Sequence, residues 1–227
     1  MDTTAIELKS YQQLIVDEDT GEEVVADMYI YLPGRPREYR FNGQNGQFNL
    51  YGERILMDDK GKPLNYFIFQ PISYRFFEDT LFGRTEKEMW AELFFIDAQN
   101  CVSAIMFNNT TVAELFRLME PMHYEKISLL DVVLTVKAEY VRSQKDPSKA
   151  WYIGRFSYNL APKEVTRRYR EYVNDRPVFR AETINPHADI KVMSKAYAKV
   201  LENEAHLAYH GIPKAEEVIA IPENTES

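Results

Sequence analysis

Trp90-Ala-Glu-Leu-Phe-Phe-Ile-Asp97, Ala98-Gln-Asn100, Cys101-Val-Ser-Ala-Ile-Met-Phe-Asn108 decides the architecture of this chain. Two apolar runs rich in aromatic and β-branched residues stand three turn-forming residues apart, which reads as two strands joined by a tight hairpin. Working outward, the signal recurs. Upstream, Tyr66 to Phe77 is a long β-type run. Pro71 inside it cannot donate to a ladder and predicts a bulge, bend or edge position. Glu78 to Met89 is polar, contains Gly83 and reads as a loop. Downstream, Val112, Leu115, Phe116 and Met119 recur at helical spacing over Thr111 to Met122, with Thr110 or Thr111 as N-cap and Pro121 near the end. Leu130, Val132, Leu134, Val136 and Ala138 then alternate with Asp131, Thr135, Lys137 and Glu139, the pattern of a half-buried strand over Leu129 to Val141. A polar loop, Ser143 to Lys149, leads to a fifth strand, Ala150 to Leu160.

The order is strand, loop, strand, hairpin, strand, helix, strand, loop, strand. It is the layout of the five-stranded oligonucleotide-binding (OB) barrel, whose helix between strands three and four plugs an open end. The predicted fold is therefore mostly β with flanking helices: an OB-fold-like barrel over residues 63–162. Residues 1–62 form a strand-rich extension. In it, Leu14-Ile-Val16, the turn Asp17 to Gly21 and Val24-Val25 make a hairpin signal, and Met28 to Leu32 reads as a further strand. Residues 163–211 carry two helices, Lys163 to Asn174 and Ala188 to His210, and residues 212–227 a flexible acidic tail.

Hydrophobic residues make up 45% of the 227, enough for a real core, and aromatics 13%. The single cysteine, Cys101, excludes an internal disulfide framework and fits a reducing compartment. No basic start followed by an apolar run opens the chain, and no apolar stretch approaches the roughly 18 residues a membrane helix needs. The expected setting is cytoplasmic, away from membranes. Net charge is −8, but it is unevenly spread. The first thirty residues hold eight acids and one base, whereas Lys163 to Arg180 holds six bases and three acids. Acidity is concentrated at the ends, either for solubility or to keep a basic groove from binding indiscriminately.

In an OB barrel the ligand crosses strands two and three, between the loops after strands one and four. Those loops offer Phe82 and, at the following strand, Trp90 for stacking, with Arg84, Lys87, Arg142, Lys145 and Lys149 for phosphates. Strand phase places Trp151 beside Arg155 on the fifth strand and Phe77 beside Arg75 on the first. An aromatic next to an arginine on an open face is what a stacking platform requires. Enzyme readings are weaker. No glycine-rich phosphate loop or nucleophile elbow is present. His206 and His210, with Glu202 one turn earlier, have metal-ligand spacing but no third ligand in view. No catalytic group, cofactor or metal is expected.

On Trp90 to Asp97, Cys101 to Asn108, the helix Thr111 to Met122, Asp131-Val-Val-Leu-Thr-Val-Lys137 and Trp151-Tyr-Ile-Gly-Arg155, the central region resembles single-stranded DNA-binding proteins in the divergent form carried by phages and mobile elements. The resemblance implies sequence-tolerant binding of single-stranded DNA in replication or recombination. RNA is an open alternative, and homo-oligomers or replication and recombination proteins are expected partners. The chain end, Glu216 to Ser227, is acidic but lacks the terminal Asp-run and Pro-Phe tip of the common bacterial form. A different class of reading also stands: an assembly subunit that uses the barrel as a scaffold.

Overall fold

The computed structural model describes residues 7–207. In chain order its elements are β1 (Gln12–Val16), β2 (Glu23–Asp27), β3 (Arg37–Phe41), β4 (Phe48–Leu50), β5 (Arg54–Ile55), β6 (Tyr66–Phe69), β7 (Pro71–Asp79), β8 (Glu88–Ile96), β9 (Val102–Asn108), α1 (Asn109–Tyr124), β10 (Val132–Arg142), β11 (Ala150–Leu160), α2 (Lys163–Asp175), β12 (Asp189–Met193) and α3 (Lys195–Leu207). The protein is mostly β with flanking helices. Its strands form a seven-stranded sheet in the order β12-β7-β8-β9-β3-β4-β5, a three-stranded sheet β11-β10-β6, and a separate pair, β1-β2.

The run from Tyr66 to Asp79 serves both larger sheets. Its first part pairs with β10 and its second with β8. The handover falls at Gln70-Pro71, and the register shifts between Pro71 and Ser73. Proline forces this break because it has no N–H for the ladder. The Gln70 amide locks the bend by donating to the Leu130 carbonyl (3.0 Å) and to Thr166 Oγ1 (2.9 Å).

Between the two sheets lies the main core. Phe69, Phe76, Leu93, Phe95, Ile105 and Phe107 meet Val132, Leu134 and Val136, with Val112 and Leu115 of α1 closing the end. This is the inward set that alternation on β10 specified. α1 comes close to β11 only because residue 154 is glycine. A Cβ there would stand 2.8 Å from Val136 Cγ2 and 2.9 Å from Thr111 Cγ2. The Gly154 N–H donates to Thr111 Oγ1 (3.1 Å).

Three expectations are corrected. The sheets stay open where a five-stranded barrel would close by pairing β9 with β11. Instead β9 pairs in parallel with β3, and β11 pairs with β10 alone. The chain beyond β3 touches β11 through Tyr152 N–H and the Gly43 carbonyl, 2.7 Å apart. Arg37-Glu-Tyr-Arg-Phe41 carries no strong strand pattern, and its partner lies some sixty residues away, so nothing local marks the pairing. Nor is residues 188–210 one helix. Asp189–Met193 is strand β12, drawn to the free edge of β7. α3 starts after Ser194, whose Oγ accepts from the Tyr197 N–H (3.2 Å) as an N-cap. Met28 to Leu32 forms isolated bridges rather than a strand, Ile30 with Cys101 and Leu32 with Arg35. His210 and the acidic tail lie outside the described residues.

A second core covers the outer face of β7, β8 and β9. Ile72, Phe94, Val102 and Ala104 pack beneath Tyr11, Tyr29, Tyr172, Phe179, Tyr197 and Val200. These come from the N-terminal segment, α2, the strand-free segment after it and α3.

Candidate nucleic-acid interface

That second core, with a smaller cluster of Phe77, Leu81 and Trp90 beside it, removes the expected stacking platform. Arg75 and Glu92 have side chains only 1% and 0% exposed, and Arg75 Nε lies 2.9 Å from Glu92 Oε2. Arg75 Nη2 also donates to the carbonyl and the Oγ1 of Thr183, both at 2.7 Å. Its guanidinium stands 3.9 Å from the centre of the Phe77 ring. Trp90 is buried, and its indole N–H donates to the Asp79 carbonyl (3.1 Å). Arg75, Phe77 and Trp90 therefore do not present an open face. Thr183 lies over Arg75, Leu81, Ala188 and Ile190 pack on Phe77 and Trp90, and Glu92 supplies the negative charge that a phosphate would have brought.

The remaining predicted residues fall into two groups. Phe82 is 58% exposed, with φ of 56°, and meets Trp90 edge-on at 5.6 Å. Arg84 forms an ion pair with Glu88, and Lys87 is exposed beside it. Burial works against the Glu88 carboxylate, yet the Asn108 amide (2.9 Å) and the Arg84 guanidinium outweigh it and hold its pKa below the ordinary value. At the far end of the β10–β11 ribbon, Arg142, Lys145 and Lys149 are exposed. The Arg142 guanidinium lies 5.8 Å from the Tyr140 ring centre, and Lys149 pairs with Asp146 at 3.7 Å. Arg155 is the exception. It is bound by Glu139 (3.1 Å) and by Glu114 of α1, so two carboxylates already hold the charge assigned to a phosphate.

One cleft lies between the loop before β8 and the start of β11. Arg84 from the loop before β8 and Trp151 from the start of β11 line a cavity of about 400 Å³ with Phe41, Gln44, Asn108, Asn109, Thr110 and Tyr152. No Asp or Glu is among its lining residues, but Glu88 stands behind them, paired with Arg84 and accepting from the Asn108 amide. The first turn of α1 forms one wall, and its N-cap, Asn108, makes no side-chain cap. The first-turn N–H groups, which lack intrahelical partners, and the positive end of the helix dipole thus lie at this wall. A flat ring, a guanidinium, three side-chain amides and a helix N-terminus suit a base and its phosphate. Gln44, Asn108, Asn109 and Tyr152 were not legible as site residues. Asn42-Gly-Gln-Asn-Gly-Gln47 reads only as a turn, and nothing local brings it to α1.

Among the described residues no group of three His, Cys, Asp or Glu could hold a metal, and no helix is long and apolar enough to cross a membrane. Compared with protein-family models, curated proteins and solved structures, the chain matches none.

Proposed function

We propose that this chain binds single-stranded nucleic acid, with little sequence preference and without catalysis, in the cleft at the N-terminus of α1. The observation that carries the reading is that cleft. Residues far apart in sequence bring a ring, a cation and the first turn of a helix together. The one carboxylate that touches them, Glu88, is neutralised by Arg84 and would have to release it to a phosphate. In this reading β6 to β11 with α1 is an OB-type core opened at the β9–β11 seam by the inserted β3. Bases stack on Trp151, which contributes about 1–3 kcal/mol per base and tolerates any sequence. Arg84, Lys87, Arg142, Lys145 and Lys149 meet phosphates, so affinity falls with salt as counterions leave. Nothing in the cleft selects against a 2′-hydroxyl, and DNA and RNA are both admitted.

The two tryptophans make the test sharp. Oligo-dT is titrated against the wild type, Trp90→Phe and Trp151→Phe while fluorescence is followed. The wild type and Trp90→Phe should respond, whereas Trp151→Phe, which keeps a smaller ring but loses the indole, should bind more weakly and show little change. A response that follows Trp90, no response in any protein, or equal affinity for duplex would overturn the proposal.

A further inference from the structure

The pair β1-β2 stands apart from both larger sheets, joined to no other strand among the described residues. A lone two-stranded ribbon is marginal in water. This one also exposes Leu14, Ile15, Val16, Val24 and Val25, with Val16 the most open at 62%. They occupy both faces, because Leu14 and Val16 point opposite to Ile15 along the strand. Exposed edges are normally blunted by charge, proline or a bulge. The β2 edge follows that rule, with Glu23 and Asp27 at its ends. The β1 edge does not: Gln12-Gln-Leu-Ile-Val16 has no charge, no proline and an unbroken register.

The hydrogen-bond parity shows what that edge offers. The Asp17 N–H donates to the Glu22 carbonyl and the Met28 N–H to the Tyr11 carbonyl, so odd-numbered residues of β1 face β2. The backbone groups of Leu14 and Val16 therefore turn outward, away from the ladder. We propose that β1 pairs antiparallel with β1 of a second copy of this chain, across a two-fold axis at Leu14, giving a four-stranded sheet β2-β1-β1-β2.

Three features favour a second copy as the occupant. The strand is self-complementary under a two-fold, as an isologous interface requires. Centring on Leu14 overlaps all five residues of both strands. Each Leu14 N–H then donates to the partner's Leu14 carbonyl and each Val16 N–H to the partner's Gln12 carbonyl, four bonds in all. Charge agrees with this register. The antiparallel arrangement sends the two acidic turns, Asp17 to Glu23, to opposite ends. Each then approaches the partner's Lys9, the only basic residue before Arg35, whose half-exposed ammonium also pairs with Asp175 of its own chain at 2.6 Å. Pairing through β2 would instead set Glu23 near the partner's Asp27, a like-charge contact. A five-residue ribbon spans only about 17 Å, well short of the roughly 800 Å² per partner of a standard interface. The dimer is accordingly weak, with Kd between about 10 μM and 1 mM. This inference does not depend on nucleic-acid binding.

The test is sedimentation from about 5 μM to about 2 mM, a range that brackets such a Kd. Leu14→Pro removes an outward N–H and leaves the bonds to β2 in place, so it should fold and remain monomeric throughout. Val16→Lys, a charge on the free edge, should do the same by a different route. The wild type should shift from monomer to dimer across the range. A wild type that stays monomeric at the top of the range overturns the proposal. So does association of both variants at the wild-type level.

Discussion

On β7 and on β11 an arginine follows the same strand pattern, and the two have opposite surroundings. Arg75 is sealed with Glu92 under Thr183, against the rings of Phe77 and Tyr197. Arg155 lies on an open face between Glu139 and Glu114. Alternation assigned both to an outer face, and that assignment is geometrically right for both. What differs is whether anything covers the face. The C-terminal elements pack on β7 and β8, while the outer face of β6, β10 and β11 keeps Tyr66, Ile68 and Lys137 exposed. A charged residue on the outside of a sheet thus reports the direction of a side chain, not its access to water.

The contrast predicts a graded set of effects. Glu92→Ala should be the most damaging, because it leaves the Arg75 charge buried without its partner. The cost is about 3–5 kcal/mol, read from urea unfolding. Replacing both partners, Arg75→Met with Glu92→Leu, should recover most of it, since no uncompensated charge remains. A loss below about 1 kcal/mol for Glu92→Ala would mean that water reaches the pair, and the contrast would fail.

Gly154→Val comes next. The added side chain collides with Val136 and Thr111, and prying α1 from β11 should cost about 1–3 kcal/mol. It should also weaken oligonucleotide binding, because the first turn of α1 walls the cleft.

Acid should act on the exposed pairs more gently. The Lys9 ammonium and the Tyr11 hydroxyl hold the Asp175 carboxyl below its ordinary pKa, and Glu88 is also held low. A depressed folded pKa gives stability that is complete above the unfolded value and lost as pH falls through the folded one. The melting temperature should therefore be flat down to about pH 5 and decline below about pH 4. A decline that begins near neutrality would point to other groups.

The smallest effect belongs to Arg155→Ala. Exposed ion pairs contribute about 0–1 kcal/mol, so unfolding should change by no more than that. If Arg155→Ala cost as much as Glu92→Ala, the two faces would not differ in the way described.

Much of the fold was legible because its signals are local. The β8–β9 hairpin, α1, and the paired strands β10 and β11 fall where alternation, helical spacing and turn residues placed them. Pro71 marked the bend because a missing N–H disrupts any ladder it enters. The cleft was legible by half. Arg84 and Trp151 stood out by chemistry, whereas Gln44 and Asn108 did not, being ordinary turn and strand-end residues until the chain brings them together.

Taken alone, the sequence determined side-chain direction on β10 and β11, where alternation runs unbroken, since direction follows from backbone periodicity. On the first strand strict alternation puts Phe67 and Phe69 on the side of Arg75, but the irregularity at Pro71 reverses the phase, so they join Phe76 in the main core and Ile68 is exposed. Only the tertiary structure decided which outward faces meet solvent. Coverage depends on how segments about a hundred residues apart dock, as Thr183 does on Arg75. Such contacts take their stability from apolar area and from compensated charge gained at a distance, and a local pattern does not record them.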